Sequence, residues 1–201
     1  PIDLGGSPSK SQDKKLDLDL PEPGSVKNPD SVEDQANSNR DQVAEQEKEE
    51  LAAMLGRRFE ANKAFEALQE NLRIEITPEG IRVTLLDKIS KPMFAQGSGR
   101  LTPDFEIALL NIGQVLSGLK NRLVVSGHTD SSAYSLAGLG NWELSSMRAN
   151  EARRLLKEGG TGDDRFAQVI GLSDTVPYES GAPKASINRR VSIILLTNAA
   201  Y

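Results

Sequence analysis

Leu72-Arg73-Ile74-Glu75-Ile76-Thr77-Pro78-Glu79-Gly80-Ile81-Arg82-Val83-Thr84-Leu85 is the stretch whose reading decides the fold. Apolar residues fall at every second position from Leu72 to Ile76 and again from Ile81 to Leu85. That period of two belongs to a strand with one buried face. Between the runs, Thr77-Pro78-Glu79-Gly80 supplies a turn, because proline presets φ and glycine accepts backbone angles other residues avoid. The stretch predicts a β-hairpin.

Downstream, the pattern changes to helix and strand in alternation. Thr102 followed by Pro103 predicts a helix start, a capping residue and then a proline at the first helical position. Ile107, Leu110, Val115 and Leu119 are expected among its core-facing residues. Arg122 to Ser126 reads as a buried strand. A second helix begins at Asn141 or Glu143, runs through Leu144, Met147, Leu155 and Leu156, and is ended by Gly159-Gly160, which allow positive φ. Phe166 to Gly171 and Val191 to Leu196 read as the remaining strands. Hairpin, helix, strand, helix, strand, strand is the order of an α+β two-layer sandwich, a mixed sheet with helices on one face.

Upstream of the hairpin, residues 40–70 read as a helical segment. Ser31 with Asp34 offers a capping box, and the Glu, Gln, Ala and Lys that follow are good helix formers. Val43, Leu51, Leu55 and Phe59 lie at multiples of four, a narrow apolar stripe that suits packing on the chain's own domain better than on a partner helix. Phe65 and Leu68 extend it as a second helical piece. Residues 1–39 are rich in Pro, Ser, Asp, Lys and Asn and bury too little apolar surface to offset their ordering entropy, so they read as a flexible linker. Leu16, Leu18 and Leu20 alternate, but Asp17, Asp19 and Pro21 favour an extended, solvated segment. Such an arm of about 40 residues spans roughly 35 Å at rest.

The 201 residues suffice for one domain, residues 71–201, plus that arm. A formal charge of -5 repels a phosphate backbone, which argues against nucleic acid as a partner. The chain has no cysteine and a single histidine, His128, so thiol catalysis, disulfides and zinc ribbons are excluded. No run approaches the ~18 apolar residues of a membrane-spanning helix. The chain opens on Pro1 with no leader-like run, and further sequence is expected before it.

Chemistry gathers at Ser126-Gly127-His128-Thr129-Asp130, at the C-terminal end of a strand, where ligand crevices open in α/β sheets. Ser126, His128 and Asp130 share a strand face, but such neighbours diverge and no nucleophile elbow accompanies them, so a hydrolase triad is not the reading. His128 and Asp130 lack a third ligand for a metal. No cofactor is expected, and His128 reads as a buried imidazole that orders the loop. Arg148, two turns into the second helix, could lean over the strand end that carries Asp130. Spacing alone favours a structural ion pair between them. The alternative is a seat for a zwitterion, with the carboxylate facing its ammonium and the guanidinium forking onto its carboxylate.

Three blocks then carry a resemblance. Gly127-His128-Thr129-Asp130, Asn141-x-x-Leu144-Ser145-x-x-Arg148-Ala149 and Asn188-Arg189-Arg190-Val191 together look like OmpA-like peptidoglycan-binding domains. Asn141-Trp142-Glu143-Leu144-Ser145, Gly80-Ile81-Arg82-Val83 and Pro92-Met93-Phe94-x-x-Gly97-Ser98 narrow it to the MotB-type group, the cell-wall anchors of the flagellar stator. The resemblance implies a non-catalytic periplasmic anchor that binds the meso-diaminopimelate stem peptide of peptidoglycan. Asp130 and Arg148 would take its ammonium and carboxylate. Asn141 and Thr129 would support that site, and Asn188, Arg189 and Arg190 would border the peptide or glycan. It further implies a homodimer, joined to a MotA-type channel subunit through an inner-membrane helix outside this chain; a general envelope tether with no motor role is the alternative. At a surface pocket, Asp130→Ala and Arg148→Ala would be expected to weaken binding with little change in thermal unfolding. Two departures from the outer-membrane members stand out: a longer loop from Ser131 to Gly140, and Ala95 after Phe94 where aspartate is common.

Overall fold

A computed structural model describes residues 29–95, 98–132 and 139–197, with side chains from residue 41 onward. Most of the expected linker, Leu16, Leu18 and Leu20 included, lies outside the described residues. Helix α1 spans Pro29–Glu60, so it begins inside the segment read as linker. The chain divides into two units, Pro1–Arg40 and Asp41–Tyr201, and the second holds the sheet.

From Asp41 on, α1 meets the core only through its last turns. Leu55 and Phe59 are buried and Leu51 is partly so, whereas Val43 is 54% exposed and drops out of the expected stripe. Asn62 then restarts the chain as a short 3-10 helix, Lys63–Leu68, its side-chain oxygen accepting from the Ala64 amide at 3.0 Å. Phe65 and Phe59 pack with ring centroids 4.9 Å apart, which ties this piece to α1.

The hairpin forms as the alternation predicts: β1 is Leu72–Thr77 and β2 is Gly80–Leu86. Gly80 is obligatory at the turn. Its φ is +148°, and a Cβ there would lie 1.9 Å from the Leu195 carbonyl oxygen. The other strands are β3, Leu123–His128, β4, Phe166–Gly171, and β5, Arg190–Leu196. They assemble in the order β1-β2-β5-β3-β4. Only β3 and β4 are parallel, and the connection between them carries helix α3, Asn141–Glu158.

Period two sorts the faces. Ile81, Val83 and Leu85 of β2, Leu123 and Val125 of β3, and Val191, Ile193 and Leu195 of β5 are buried in one cluster with the helices. Each such side chain contributes about 1.5–3 kcal/mol on leaving water. The residues between them build the opposite face, where Thr84 stands across from Ser192 and Ser192 across from Ser126. The architecture is the expected mixed sheet with helices, α+β.

Helix α2, Pro103–Ser117, starts at Thr102-Pro103 as predicted, but its phase differs. Phe105, Ala108, Leu109, Ile112 and Leu116 face the core, while Ile107 is 50% exposed and Leu110, Val115 and Leu119 pack only at its margin. Phe105, the largest side chain of the helix, takes the interior, and positions three and four apart follow it. In α3, Leu144, Ala149, Ala152, Leu155 and Leu156 are buried. Met147, expected inside, is 48% exposed, and Arg148 points inward instead. Gly160, at φ +108°, ends the helix as expected.

Candidate functional site

The site is built where β3 runs out beneath α3. Gly127 permits the approach: a Cβ on it would lie 2.1 Å from the Ser145 carbonyl oxygen and 2.9 Å from the Ala149 amide, both backbone atoms of α3. Helix α3 therefore lies directly on the strand, and Arg148 reaches over its end. Its Nη1 donates to the His128 carbonyl at 3.0 Å and its Nη2 to the Ser98 carbonyl at 3.4 Å. The guanidinium carbon sits 3.9 Å from the Phe94 ring centroid, a cation–π stack. Arg148 is only 3% exposed, so the expectation of a surface pocket is corrected: this arginine is packed as well as charged.

Asp130 lies two residues beyond His128 and is 7% exposed. Its Oδ1 accepts from the Ser132 amide at 2.9 Å, and its Oδ2 from Arg189 Nη1 at 2.6 Å. Arg189 in turn donates through Nε to Asp87 Oδ2 at 2.6 Å. Asp87 is buried at the end of β2 and accepts the Met93 amide on Oδ1 at 2.6 Å. Burial pulls the Arg189 guanidinium toward neutrality, but its bonds to Asp87 and Asp130 outweigh that and raise its pKa above the ordinary arginine value. An ionised carboxylate has about four acceptor positions. The two donors on Asp130 thus fix its orientation and leave part of its acceptor capacity unused.

Asn141, the first residue of α3, ties the helix start to the segment that carries Asp130. Its amide nitrogen donates to the Ser132 carbonyl at 3.1 Å and, at 3.4 Å, to that of Asp130. Glu143 fixes the start of the helix by accepting the Gly140 amide at 2.8 Å, a bond that also holds its own carboxyl below the usual range.

The remaining predicted residues serve the frame. His128 is buried, with Nε2 3.2 Å from Ser126 Oγ. Its pKa is pushed down to about 3, by burial first and then by Arg190 and Arg82, which keeps the imidazole neutral. Asp130 spends its oxygens on Ser132 and Arg189 rather than on this ring, so Ser126, His128 and Asp130 lack the base-orienting bond of a triad. Thr129 is buried, its amide donating to Ser173 O at 2.9 Å. Asn188 is 0% exposed, and its amide holds a turn by accepting from the Glu179 amide at 2.8 Å and donating to the Ala182 carbonyl at 2.8 Å. Arg190 is also buried, donating to the Val176 carbonyl at 2.8 Å; burial, chiefly, lowers its pKa to about 10. Of the Asn188-Arg189-Arg190 block, then, Arg189 meets Asp130 while its neighbours shape the loop that presents it.

Asp87, Ser132 and the Phe94 ring also belong to the site, and the sequence does not single them out for it. The one signal for Asp87 is an aspartate that directly follows the apolar Leu85-Leu86. Among the described residues, no group of three or more carboxylate or imidazole side chains could hold a metal ion.

Residues 93–190 match the OmpA family. A truncated flagellar export/assembly protein, LafU, of Escherichia coli K12 is 38% identical over 133 residues, covering 66% of this chain and 63% of that protein. Motility protein B of the same strain is 36% identical over 152 residues, covering 75% of this chain and 49% of its own length. The chain thus spans less than two thirds of the curated relatives it matches. Among solved structures, the cell wall anchor of the T6SS from Pseudomonas aeruginosa superposes with a TM-score of 0.56 at 28% identity, over 67% of this chain and 94% of that one.

Proposed function

We propose that the chain, whose residues 93–190 match the OmpA family, is the periplasmic, peptidoglycan-binding part of a flagellar stator subunit, an anchor that works without catalysis. The observation that carries this reading is the pairing of two opposite charges around one strand end, Asp130 fixed by Arg189 and Ser132, Arg148 fixed by Phe94 and the His128 carbonyl. The fitting ligand group is a zwitterion, the ammonium and carboxylate at the free end of meso-diaminopimelate. Its ammonium takes an open position on Asp130, and its carboxylate accepts from Arg148. Asn141 holds the backbone at Asp130 and Ser132. Charge-assisted contacts of this kind contribute about 1.5–3 kcal/mol each.

Non-catalytic anchoring agrees with a neutral, buried His128 that has no carboxylate to orient it. Two copies in a homodimer would gain avidity from two linked weak sites. The stator reading adds a MotA-type channel subunit as partner and an inner-membrane helix upstream, and it draws on the likeness to Motility protein B. A second reading, a wall tether for another envelope machine, draws on the likeness to the T6SS cell wall anchor. No helix among the described residues is long and apolar enough to cross a membrane.

Pelleting with purified meso-diaminopimelate-type peptidoglycan tests the anchor. The full chain is expected to co-sediment saturably and to release no soluble muropeptide, with or without zinc. A chain that stays in the supernatant overturns the reading, as does cleavage lost on His128→Ala. Grafting the chain onto the membrane segment of a stator subunit separates the two roles: restored motility supports the motor, and wall binding without motility supports the tether.

A further inference from the structure

Asp87 is joined to both halves of the site, to Asp130 through Arg189 and to the Phe94 segment through the Met93 amide. It is 1% exposed, the residue that follows β2, and its backbone amide donates to the Arg189 carbonyl at 2.9 Å. One carboxylate oxygen receives the Arg189 Nε at 2.6 Å, and Arg189 Nη1 then bonds Asp130 Oδ2 at 2.6 Å. The other receives the Met93 amide at 2.6 Å. Met93 directly precedes Phe94, the ring on which Arg148 is stacked. A buried carboxylate is costly unless paired and bonded on both oxygens, and here both are used, one toward each charge of the site.

We propose that Asp87 is a positioning residue for wall binding, which sets the Asp130 carboxylate through Arg189. This rests on the proposed reading of the site. Arg189 is 30% exposed on its side chain, while that of Asp87 is 2% exposed. An exposed arginine would sample many rotamers. With its Nε fixed to a buried anion, only the distal Nη1 edge of the guanidinium is presented to Asp130, so the carboxylate is met from one direction. Loss of the anchor lets Arg189 wander, and the ammonium seat on Asp130 becomes disordered.

Asp87→Asn separates this role from simple packing. Asparagine keeps an oxygen for the Met93 amide but turns an NH2 toward Arg189 Nε, donor against donor. The measurement is calorimetric titration of the full chain with a meso-diaminopimelate-containing stem tripeptide, in wild type, Asp87→Asn, Arg189→Ala and the double variant. Asp87→Asn is expected to weaken binding about tenfold, the loss of one charge-assisted hydrogen bond's worth of orientation, and to add less than about twofold once Arg189 is gone. A ligand-free readout accompanies it. The Ser132 amide resonance, which reports on Asp130 Oδ1, is expected to shift in Asp87→Asn and to stay put when the same change is made in Arg189→Ala. Wild-type affinity in Asp87→Asn, or an equal loss and an equal Ser132 shift in both backgrounds, overturns the proposal. Failure of the wild type itself to bind overturns the reading of the site and this inference with it.

Discussion

Arg148→Lys separates the packing that holds Arg148 in place from its proposed role in binding. The guanidinium donates from two nitrogens, to His128 O at 3.0 Å and Ser98 O at 3.4 Å, and stacks at 3.9 Å on Phe94. Lysine keeps the charge but is a single point with no plane, so it can hold one carbonyl well and cannot reproduce the stack. Losing the longer bond costs about 1 kcal/mol, and losing the stack about 1 kcal/mol more. For a folded unit of this size each kcal/mol lowers Tm by about 2–4 °C, so Tm is expected to fall by about 4–8 °C. The same substitution removes the fork proposed to receive a ligand carboxylate, worth about 1.5–3 kcal/mol, or roughly 10- to 100-fold in affinity. Thermal unfolding and calorimetric titration with a stem tripeptide, both on the full chain, read the two effects separately. A lowered Tm with undiminished affinity would show that Arg148 is a packing residue only; an unchanged Tm would refute the energetic role given to Phe94 and Ser98.

Three further outcomes are expected. The folded-state pKa of His128 is about 3 against an ordinary 6.5, so the unfolded chain binds a proton in that window and the folded chain does not, and stability falls as pH drops through it by up to about 1.4 kcal/mol per unit. Urea unfolding across pH 3–7 should show this slope flattened in His128→Gln, and an equal slope in both would put the acid sensitivity elsewhere. Gly127→Ala forces a methyl to within 2.1 Å of Ser145 O, so α3 must move off β3; stability should drop by about 1–3 kcal/mol and ligand affinity should fall with it, whereas unchanged binding would mean that Arg148 does not depend on that contact. Deleting residues 5–28 should leave the affinity of the purified chain unchanged and reduce motility in a stator graft, and a loss of affinity would place that segment inside the binding unit.

Strand positions were legible because alternation is a local property: the turn at Thr77–Gly80 and the run Phe166–Gly171 can each be read from a few neighbouring residues. Helix phase was not, since Phe105 outcompetes Ile107 for the interior only when the sheet beneath is present. At the site, the resemblance singles out Asp130 and Arg148 for binding, whereas spacing by itself favours a structural ion pair. What no local pattern carries is the chain of contacts from Asp87 through Arg189 to Asp130. Residues separated in sequence by 102 and 59 positions meet there because β5 lies between β2 and β3.

In the proposed site Asp130 and Arg148 together seat a zwitterion, and one titration tests this most directly. Wild type and Asp130→Asn are each titrated with two stem tripeptides that differ only in the third residue, meso-diaminopimelate in one and lysine in the other. Asparagine keeps the oxygen that accepts from Ser132, turns an NH2 toward Arg189 in place of the oxygen it donates to, and removes the charge proposed to face an ammonium. Lysine keeps that ammonium and lacks the carboxylate meant for Arg148. Wild type is expected to bind the diaminopimelate peptide at least about tenfold more tightly than the lysine peptide, and Asp130→Asn to lose most of its affinity for the former. Equal affinity for both peptides, or full binding by Asp130→Asn, would contradict a zwitterion seat.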